Sequence, residues 1–325
     1  MGDVILAAPL FTWLKNHDPA TRISFVTNAL YRDFFRDDPR LASVVPYSRE
    51  TEQQIFSDLS SKKWDMIVDL QNNRRSRRIR NRYFRGIKQG LFNKLHARRF
   101  MLLFTGINLY GGRTHVVERY IRAASGREEL SDGIPPVKLY FDDEKEGSAL
   151  LAKAFGNNDG PVMALIPFCS WKNKQWAPAS YAAVGTCFSE MGWNIALFGG
   201  PDDMDEAQIL KKHIGPKCYS FAGELDLYQV GSVMKKCTLA LGNDTGLSHL
   251  ARSCGVKTGI IFGATTRHFG FFPYGEPAYR IFQSRVFCRP CHPHGGNFCR
   301  RLSRPCLGNI GTWEVIAELK ELLQN

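Results

Sequence analysis

The chain has 325 residues, of which 44% are hydrophobic and 23% are charged, enough for two globular domains with separate cores. It has no apolar run of about eighteen residues and no signal-peptide pattern, so we expect a soluble, cytoplasmic protein without a membrane-spanning segment. The formal net charge of +12 favours an anionic partner, which is a nucleic acid, a phospholipid surface or a phosphorylated substrate.

Strand-like and helix-like patterns alternate along the chain, as is typical of parallel sheets flanked by helices. In the first half, helical patterns cover residues 4–14, 51–61 and 115–124, and strand patterns cover 23–27 and 66–70. In the second half, strands are predicted at 162–167, 194–198, 238–241 and 257–262, and helices at 179–191, 203–213, 245–253 and 312–323. The sequence therefore predicts two doubly wound α/β domains, residues 1–145 and 146–325, which face each other across a cleft.

Basic residues are concentrated between Asn73 and Arg85, directly after the predicted strand at 66–70. A helix that begins there opens at the carboxyl edge of the sheet, where Arg74 and Arg75 can reach an acidic ligand. A nucleic-acid ligand is disfavoured, because no RNP, helix-turn-helix or zinc-finger pattern accompanies the charge.

The segment from Leu241 to Arg252 places small, hydroxyl and acidic residues at the junction between a strand and a helix. Asn243 or Asp244 is a suitable N-cap, and the free N–H groups of the first helical turn attract a phosphate. Because a carboxylate facing a diphosphate would repel it, Asp244 is better suited to sugar hydroxyls. The pattern indicates a nucleotide sugar; the alternative is an Asp-capped helix whose His249 bonds a core carbonyl.

Three further features have two interpretations each. The glycine turn before Asp202 either approaches a ligand or is a plain turn. The aromatic residues from Phe269 to Tyr274 either stack on an adenine or close a core, and we favour the core. A spaced set of cysteines near the C-terminus indicates either a structural zinc site or free thiols; the set is Cys288, Cys291, Cys299 and Cys306.

Four blocks, in order, resemble glycosyltransferase family 9, the lipopolysaccharide heptosyltransferases. They are residues 1–10 with the pair Gly2-Asp3, residues 64–71 ending in Asp69-Leu-Gln71, residues 166–178 with Lys174 and Trp176, and the Asp-Thr-Gly-Leu-Ser-His block at 244–249. The resemblance implies a GT-B fold and inverting transfer of a sugar, typically heptose from ADP-heptose, to a core oligosaccharide on lipid A. The implied acceptor is anionic and lipid-linked, so we expect peripheral contact with the inner membrane.

Carried over by position, the resemblance implies that Asp3 is the general base. It implies donor binding by Ser170, Lys174, Asp202, Asp244, Thr245, Gly246 and His249. It implies acceptor binding by Gln71 and Arg75. Lys174 would offset charge on the departing ADP, so no catalytic metal is expected. From the local sequence alone, the alternative interpretation is that Asp3 is the N-cap of a helix and that Lys174 is a surface lysine beside a core Trp176.

The sequence departs from the family pattern in two places. The family usually has an apolar strand before the Gly-Asp block, whereas this sequence begins at that block. Either the sequence starts inside a longer gene product, or the first sheet lacks a central strand. Phe168 and Cys169 also replace the small or hydroxyl residues that are common before Ser170.

Three other functions remain as alternatives. A GT-B-like sugar-nucleotide epimerase would need additional acid and base residues, and a nucleotide-sugar-binding protein would need no catalytic base. An NAD-dependent oxidoreductase is disfavoured because no Gly-x-Gly-x-x-Gly follows a strand.

Overall fold

The computed structural model describes residues 1–111, 115–127, 130, 133–141, 144–156 and 160–324. Within these ranges the strands are β1 (Ile23–Asn28), β2 (Leu41–Tyr47), β3 (Met66–Asp69), β4 (Lys88–Leu91), β5 (Val162–Ile166), β6 (Asn194–Leu197), β7 (Cys218–Ser220), β8 (Leu239–Asn243), β9 (Lys257–Ile261) and β10 (Tyr279–Phe282).

The helices are α1 (Gly2–Ile5), α2 (Ala8–His17), α3 (Glu52–Ser60), α4 (Arg74–Tyr83), α5 (His96–Thr105), α6 (Val116–Ser125), α7 (Glu144–Phe155), α8 (Pro178–Glu190), α9 (Met204–Ile214), α10 (Leu227–Met234), α11 (Gly246–Ser253), α12 (Pro305–Gly308) and α13 (Thr312–Gln324). Short 3-10 helices cover Ala29–Phe35, Pro201–Asp203 and Arg267–Phe269. None of the helices in these ranges is both long and apolar enough to cross a bilayer.

The second half of the chain is built on one parallel sheet with the strand order β10-β9-β8-β5-β6-β7. The chain enters at β5 in the middle, continues to β6 and β7 on one side, and then crosses to β8 on the other. Every residue of β5, β6 and β8 is buried, as expected for strands covered by helices on both faces. This order creates a topological switch point between β5 and β8.

The four strands of the first half form two separate parallel pairs, β1–β2 and β3–β4. The described residues place no strand between the two pairs.

The helix predicted at residues 4–14 is divided into α1 and α2. The break precedes Pro9, which lies in the first turn of α2, where its missing N–H costs no hydrogen bond. The division gives the short helix α1 its own orientation, and α1 carries Asp3.

The hydrophobic core continues between the two halves of the chain. Ile5 and Phe34 from the first half lie in the same buried cluster as Ile166 and Val233 from the second. The aromatic segment after β9 contributes as well, since Phe269 is 2% exposed and packs with residues of α5 and the turn after it. This agrees with its interpretation as core, while the boundary at 145/146 stays a prediction.

Candidate active site

The switch point brings together the segments that follow β5 and β8. Ile166, at the end of β5, is aligned with Gly242 near the end of β8. Residues 167–176 and residues 244–249 therefore leave the sheet side by side, at the edge where open α/β sheets bind ligands.

Asn243 fastens these two segments to each other. Its side chain is fully buried; Nδ2 donates to the Pro167 carbonyl at 2.8 Å, and Oδ1 accepts from the Trp176 N–H at 3.0 Å. The Ser248 hydroxyl donates to the Asn243 carbonyl at 2.6 Å. One amide thus fixes the loop that carries Lys174 relative to the start of α11.

Lys174 and Asp244 form a nearly buried ion pair at this position. Lys174 Nζ lies 2.8 Å from Asp244 Oδ2, and the Thr265 hydroxyl donates to the same oxygen at 2.7 Å. Burial alone would raise the pKa of Asp244, but the charge and hydrogen bond of Lys174, with His249 and Thr265, outweigh burial and lower that pKa. Asp244 is therefore ionised at neutral pH.

The N-terminus of α11 faces the same region. Its N-cap is Thr245 and not Asn243 or Asp244, as the sequence indicated, because those two side chains bond Pro167, Trp176, Lys174 and Thr265 instead. Thr245 makes no side-chain capping bond, and its buried Oγ1 has no hydrogen-bond partner in the part of the chain that the structure describes. A buried hydroxyl at a helix N-terminus is a suitable donor to an anionic ligand.

Helix α1 packs on α11 and brings Asp3 close to Asp244. A Cβ atom on Gly2 would lie 3.1 Å from Cδ2 of His249, and one on Gly246 would lie 2.5 Å from Cβ of Met1. Burial lowers the pKa of His249 to about 4, and the charges of Asp244 and Asp3 both oppose this shift. Both carboxylates therefore act on one neutral imidazole, and the Asp3 side chain is exposed. We call the region around Asp3, Lys174, Asp244 and His249 the candidate crevice.

Two of the predicted donor residues are exposed in segments that follow strands of the large sheet. Ser170 is exposed in the loop after β5, and Asp202 is exposed in the 3-10 helix after β6. The neighbouring Asp203 accepts a hydrogen bond from the Gly200 N–H at 2.8 Å, which fixes the glycine turn. Both residues thus follow strands that end at the edge of the sheet where Lys174 lies.

The predicted acceptor residues differ in their environment. Gln71 is exposed. Arg75 Nε donates to Glu52 at 2.9 Å, and the guanidinium lies 4.5 Å from the centre of the Tyr47 ring. Arg75 therefore forms part of the wall of a cavity of about 610 Å³ whose lining includes four arginines: Arg49, Arg75, Arg78 and Arg82.

The sequence analysis did not identify Arg49, Glu52 or Arg82 as part of a site. Arg49 belongs to the β2–α3 connection, Glu52 is the first residue of α3, and Arg82 lies on α4. Only the packing of these elements brings the three side chains together, so the basic character of α4 was the single available signal.

The segment between Cys291 and Cys299, which the sequence indicated only as part of a zinc site, also packs on Lys174. A Cβ atom on Gly295 would lie 2.7 Å from Cδ of Lys174, so the backbone there packs directly on the lysine. Burial lowers the pKa of His294, as does Arg99, whereas Asp3 opposes the shift. His294 is thus a further residue whose pKa responds to Asp3 and Lys174; the sequence indicated it only as a neighbour of the predicted zinc ligands, between Cys291 and Cys299.

The four cysteines of the predicted zinc site lie near one another. Burial raises the pKa of Cys291, with contributions from Cys299 and Cys288, and raises that of Cys306 to about 11. Across the described ranges, however, no three His, Cys, Asp or Glu side chains are placed to hold a metal ion. The zinc site stays a prediction.

The fold is that of a doubly wound α/β protein, with a candidate ligand site at its switch point. The family model of glycosyltransferase family 9 (heptosyltransferase) matches residues 53–295. Lipooligosaccharide heptosyltransferase 2 of Haemophilus influenzae is 25% identical over 46% of this chain and 47% of its own length. The same enzyme of Haemophilus ducreyi is 24% identical over 77% of this chain and 76% of its own length.

Among solved structures, the Escherichia coli ADP-heptose lps heptosyltransferase II superposes with a TM-score of 0.78 at 19% identity, over 99% of this chain and 96% of that one. This likeness confirms the GT-B fold predicted from the sequence. The chain belongs to glycosyltransferase family 9, and the protein is a glycosyltransferase.

Proposed function

We propose that the protein transfers a heptose from ADP-heptose, with inversion, to an anionic lipopolysaccharide core acceptor. The observation that supports this proposal is the nearly buried Lys174–Asp244 ion pair at the switch point, beside His249, whose pKa responds to the charges of both Asp244 and Asp3. The names of the relatives support the choice of heptose and of a lipopolysaccharide acceptor.

On the donor side, the diphosphate is bound at the start of α11. The Thr245 hydroxyl and the free N–H groups of the first turn donate to its oxygens, and Lys174 offsets the charge that develops on the departing ADP. Asp244 accepts from sugar hydroxyls, while Ser170 contacts a phosphate and Asp202 the ribose. His249, neutral because its pKa is about 4, adds no charge that would have to be compensated.

On the acceptor side, Asp3 removes the proton of the attacking hydroxyl. The acceptor oxygen forms a bond to the anomeric carbon while the bond from that carbon to the phosphate oxygen breaks. ADP leaves with the electron pair, and Asp3 holds the proton. An exposed carboxylate at the crevice is suited to this role, because solvent can take the proton afterwards.

The acceptor is positioned by Gln71 and Arg75, with the remaining arginines of the adjoining cavity attracting its acidic groups. Its lipid part requires that the protein work in the cytoplasm at the inner face of the membrane. Nucleic acid is not the proposed partner, since no RNP, helix-turn-helix or zinc-finger pattern accompanies the basic residues.

No divalent metal takes part in transfer in this proposal, because Lys174 supplies the positive charge. A structural zinc at the four cysteines is a separate proposal, supported by the chemistry of four thiolate donors. Metal analysis of purified protein tests it: zinc that is lost in Cys291→Ser supports the site, and protein without zinc refutes it.

Replacement of the proposed base tests the function. We expect Asp3→Asn to lower kcat about 10²–10⁴-fold, because the amide cannot accept the hydroxyl proton. Binding of ADP-heptose, followed as an increase in Tm, should survive the change. Asp65→Asn is the matched control. Asp65 is also an exposed aspartate, and it directly precedes β3, outside the proposed donor and acceptor sites.

Three results would contradict the proposal. Wild-type turnover by Asp3→Asn would remove Asp3 from the base role. Failure of the wild-type protein to transfer heptose, with donor binding intact, would indicate a binding protein. Epimerised donor in the absence of acceptor would indicate an epimerase.

A further inference from the structure

Helix α5 has two apolar faces, and only one of them is packed. Leu102, together with the partly buried Leu95 and Leu103, lies in a cluster with Tyr110 and Phe269. This face attaches α5 to the 3-10 helix after β9, in the second half of the chain.

The other face of α5 and the turn after it are exposed. Phe100 and Phe104, one helical turn apart, are 57% and 71% exposed, and their ring centres lie 4.4 Å from each other. Ile107 and Leu109 follow at 51% and 50% exposure. Four large apolar side chains in ten residues form a contiguous surface, which we call the α5 face. Such surfaces mark interaction sites.

The surroundings of the α5 face are strongly basic. Between residues 70 and 117 the sequence has twelve lysines and arginines and not one aspartate or glutamate. Lys94 and Arg98 directly flank the apolar side chains, and Arg98 is exposed. Two copies of this face would repel each other, whereas an anionic lipid surface complements both the charge and the apolar side chains.

Helix α5, which carries the α5 face, lies near residues of the candidate crevice. Burial lowers the pKa of His294, and the charge of Arg99, on the inner side of the helix, is the next largest cause of this lowering. The charge of Asp3 opposes the shift. Arg99 also lies 5.7 Å from the centre of the Phe269 ring, and the backbone at Gly295, next to His294, packs on Lys174, so α5 lies near the segment that borders Lys174.

We propose that the α5 face, formed by Phe100, Phe104, Ile107 and Leu109, rests in the headgroup layer of an anionic membrane, with Lys94 and Arg98 on lipid phosphates. This inference rests on the proposed function in one respect: the membrane then presents a lipid-linked acceptor at the mouth of the crevice. Surface binding is peripheral, because α5 has only ten residues.

Co-sedimentation with vesicles tests the inference. Full-length protein should pellet with vesicles of phosphatidylcholine and phosphatidylglycerol and remain in the supernatant with phosphatidylcholine alone. We expect Phe100→Ser/Phe104→Ser to weaken binding about tenfold or more, because the two rings lose their burial in the lipid. Trp313→Ser is the matched control, since Trp313 is a 77% exposed aromatic residue on α13.

Each outcome decides the matter. Wild-type protein that ignores anionic vesicles, or a double variant that binds like wild type, overturns the inference. A dimer that the double variant dissociates in size-exclusion chromatography shows that the face binds a second copy instead. Transfer to a soluble, lipid-free acceptor should be equal in wild type and double variant; its absence in both would count against the proposed function and not against membrane binding.

Discussion

Lys174 is held on two sides, by the carboxylate of Asp244 and by the backbone at Gly295. A flexible lysine side chain loses considerable conformational entropy when it is fixed, so such contacts place its charge in advance of ligand binding. This placement is what electrostatic stabilisation of a leaving group requires.

Removal of this charge should therefore impair turnover more than folding. We expect Lys174→Ala to lower kcat about 10²–10³-fold and to raise the KM for ADP-heptose, measured by steady-state release of ADP. Lys172→Ala, at an exposed position two residues earlier, should leave both constants unchanged. Equal loss in the two variants would show that the general charge of the loop, and not the position of Lys174, matters.

The buried histidines make stability depend on pH. Burial lowers the pKa of His249 to about 4 and that of His115 to about 3, whereas both titrate near 6.5 when the chain is unfolded. As the pH falls, these histidines are therefore protonated in the unfolded state before they are protonated in the folded state. The stability that is present above pH 6.5 is lost as the pH falls towards 4. Urea unfolding should show a loss of the order of 3 kcal/mol for His249 alone, and His249→Gln should flatten the profile. A wild-type profile that is flat between pH 7 and 4 would contradict these assignments.

At the scale of elements, Asn243 links the ends of β5 and β8. We expect Asn243→Ala to reduce the free energy of unfolding by about 2–4 kcal/mol, because the Pro167 carbonyl and the Trp176 N–H lose their partner in a buried site. Ser248→Ala, which removes a single bond to the same residue, should cost about 1 kcal/mol in the same denaturant titration. Similar values for the two variants would argue against the linking role.

The sequence predicted the elements with strong periodicity and missed those formed by pairing. β5, β6, β8 and β9 were predicted within two residues, because their apolar runs are buried on both faces. β4, with Lys88, Gln89 and Gly90, has no such pattern and forms because it pairs with β3. Helix α5 was missed for a related reason, since its two apolar faces obscure the usual alternation of apolar and polar positions.

Prediction of the site had the same limit. Family blocks indicated Asp3, Lys174 and Asp244; the structure pairs Lys174 with Asp244, and the charges of both carboxylates act on the pKa of His249. His294 lies in a segment that the sequence indicated only for zinc, and only packing brings Arg49 together with the arginines of α4 in one cavity. Likewise, the ion pair of Arg75 with Glu52 joins two helices, which no local pattern specifies.

For the whole molecule, the concentration of positive charge should govern encounter with the acceptor. We expect kcat/KM for the proposed anionic acceptor to fall about tenfold between low salt and roughly 0.5 M salt. The reason is that salt screens the attraction between the basic residues and the acceptor. Arg49→Gln/Arg82→Gln should lower the low-salt value and reduce the salt dependence. An unchanged salt dependence in this double variant would place the attraction elsewhere on the surface.

The separation of β1–β2 from β3–β4 has a consequence for how the molecule opens. An isolated pair of strands is only marginally stable, whereas the six-stranded sheet is a cooperative unit. Local unfolding should therefore begin in the first half of the chain, with fast amide exchange in β2 and β4. Helix α1 is an exception, because it packs on α11. Asp3, the proposed base, is thus attached to the more stable half of the chain, whereas the two strand pairs open more readily.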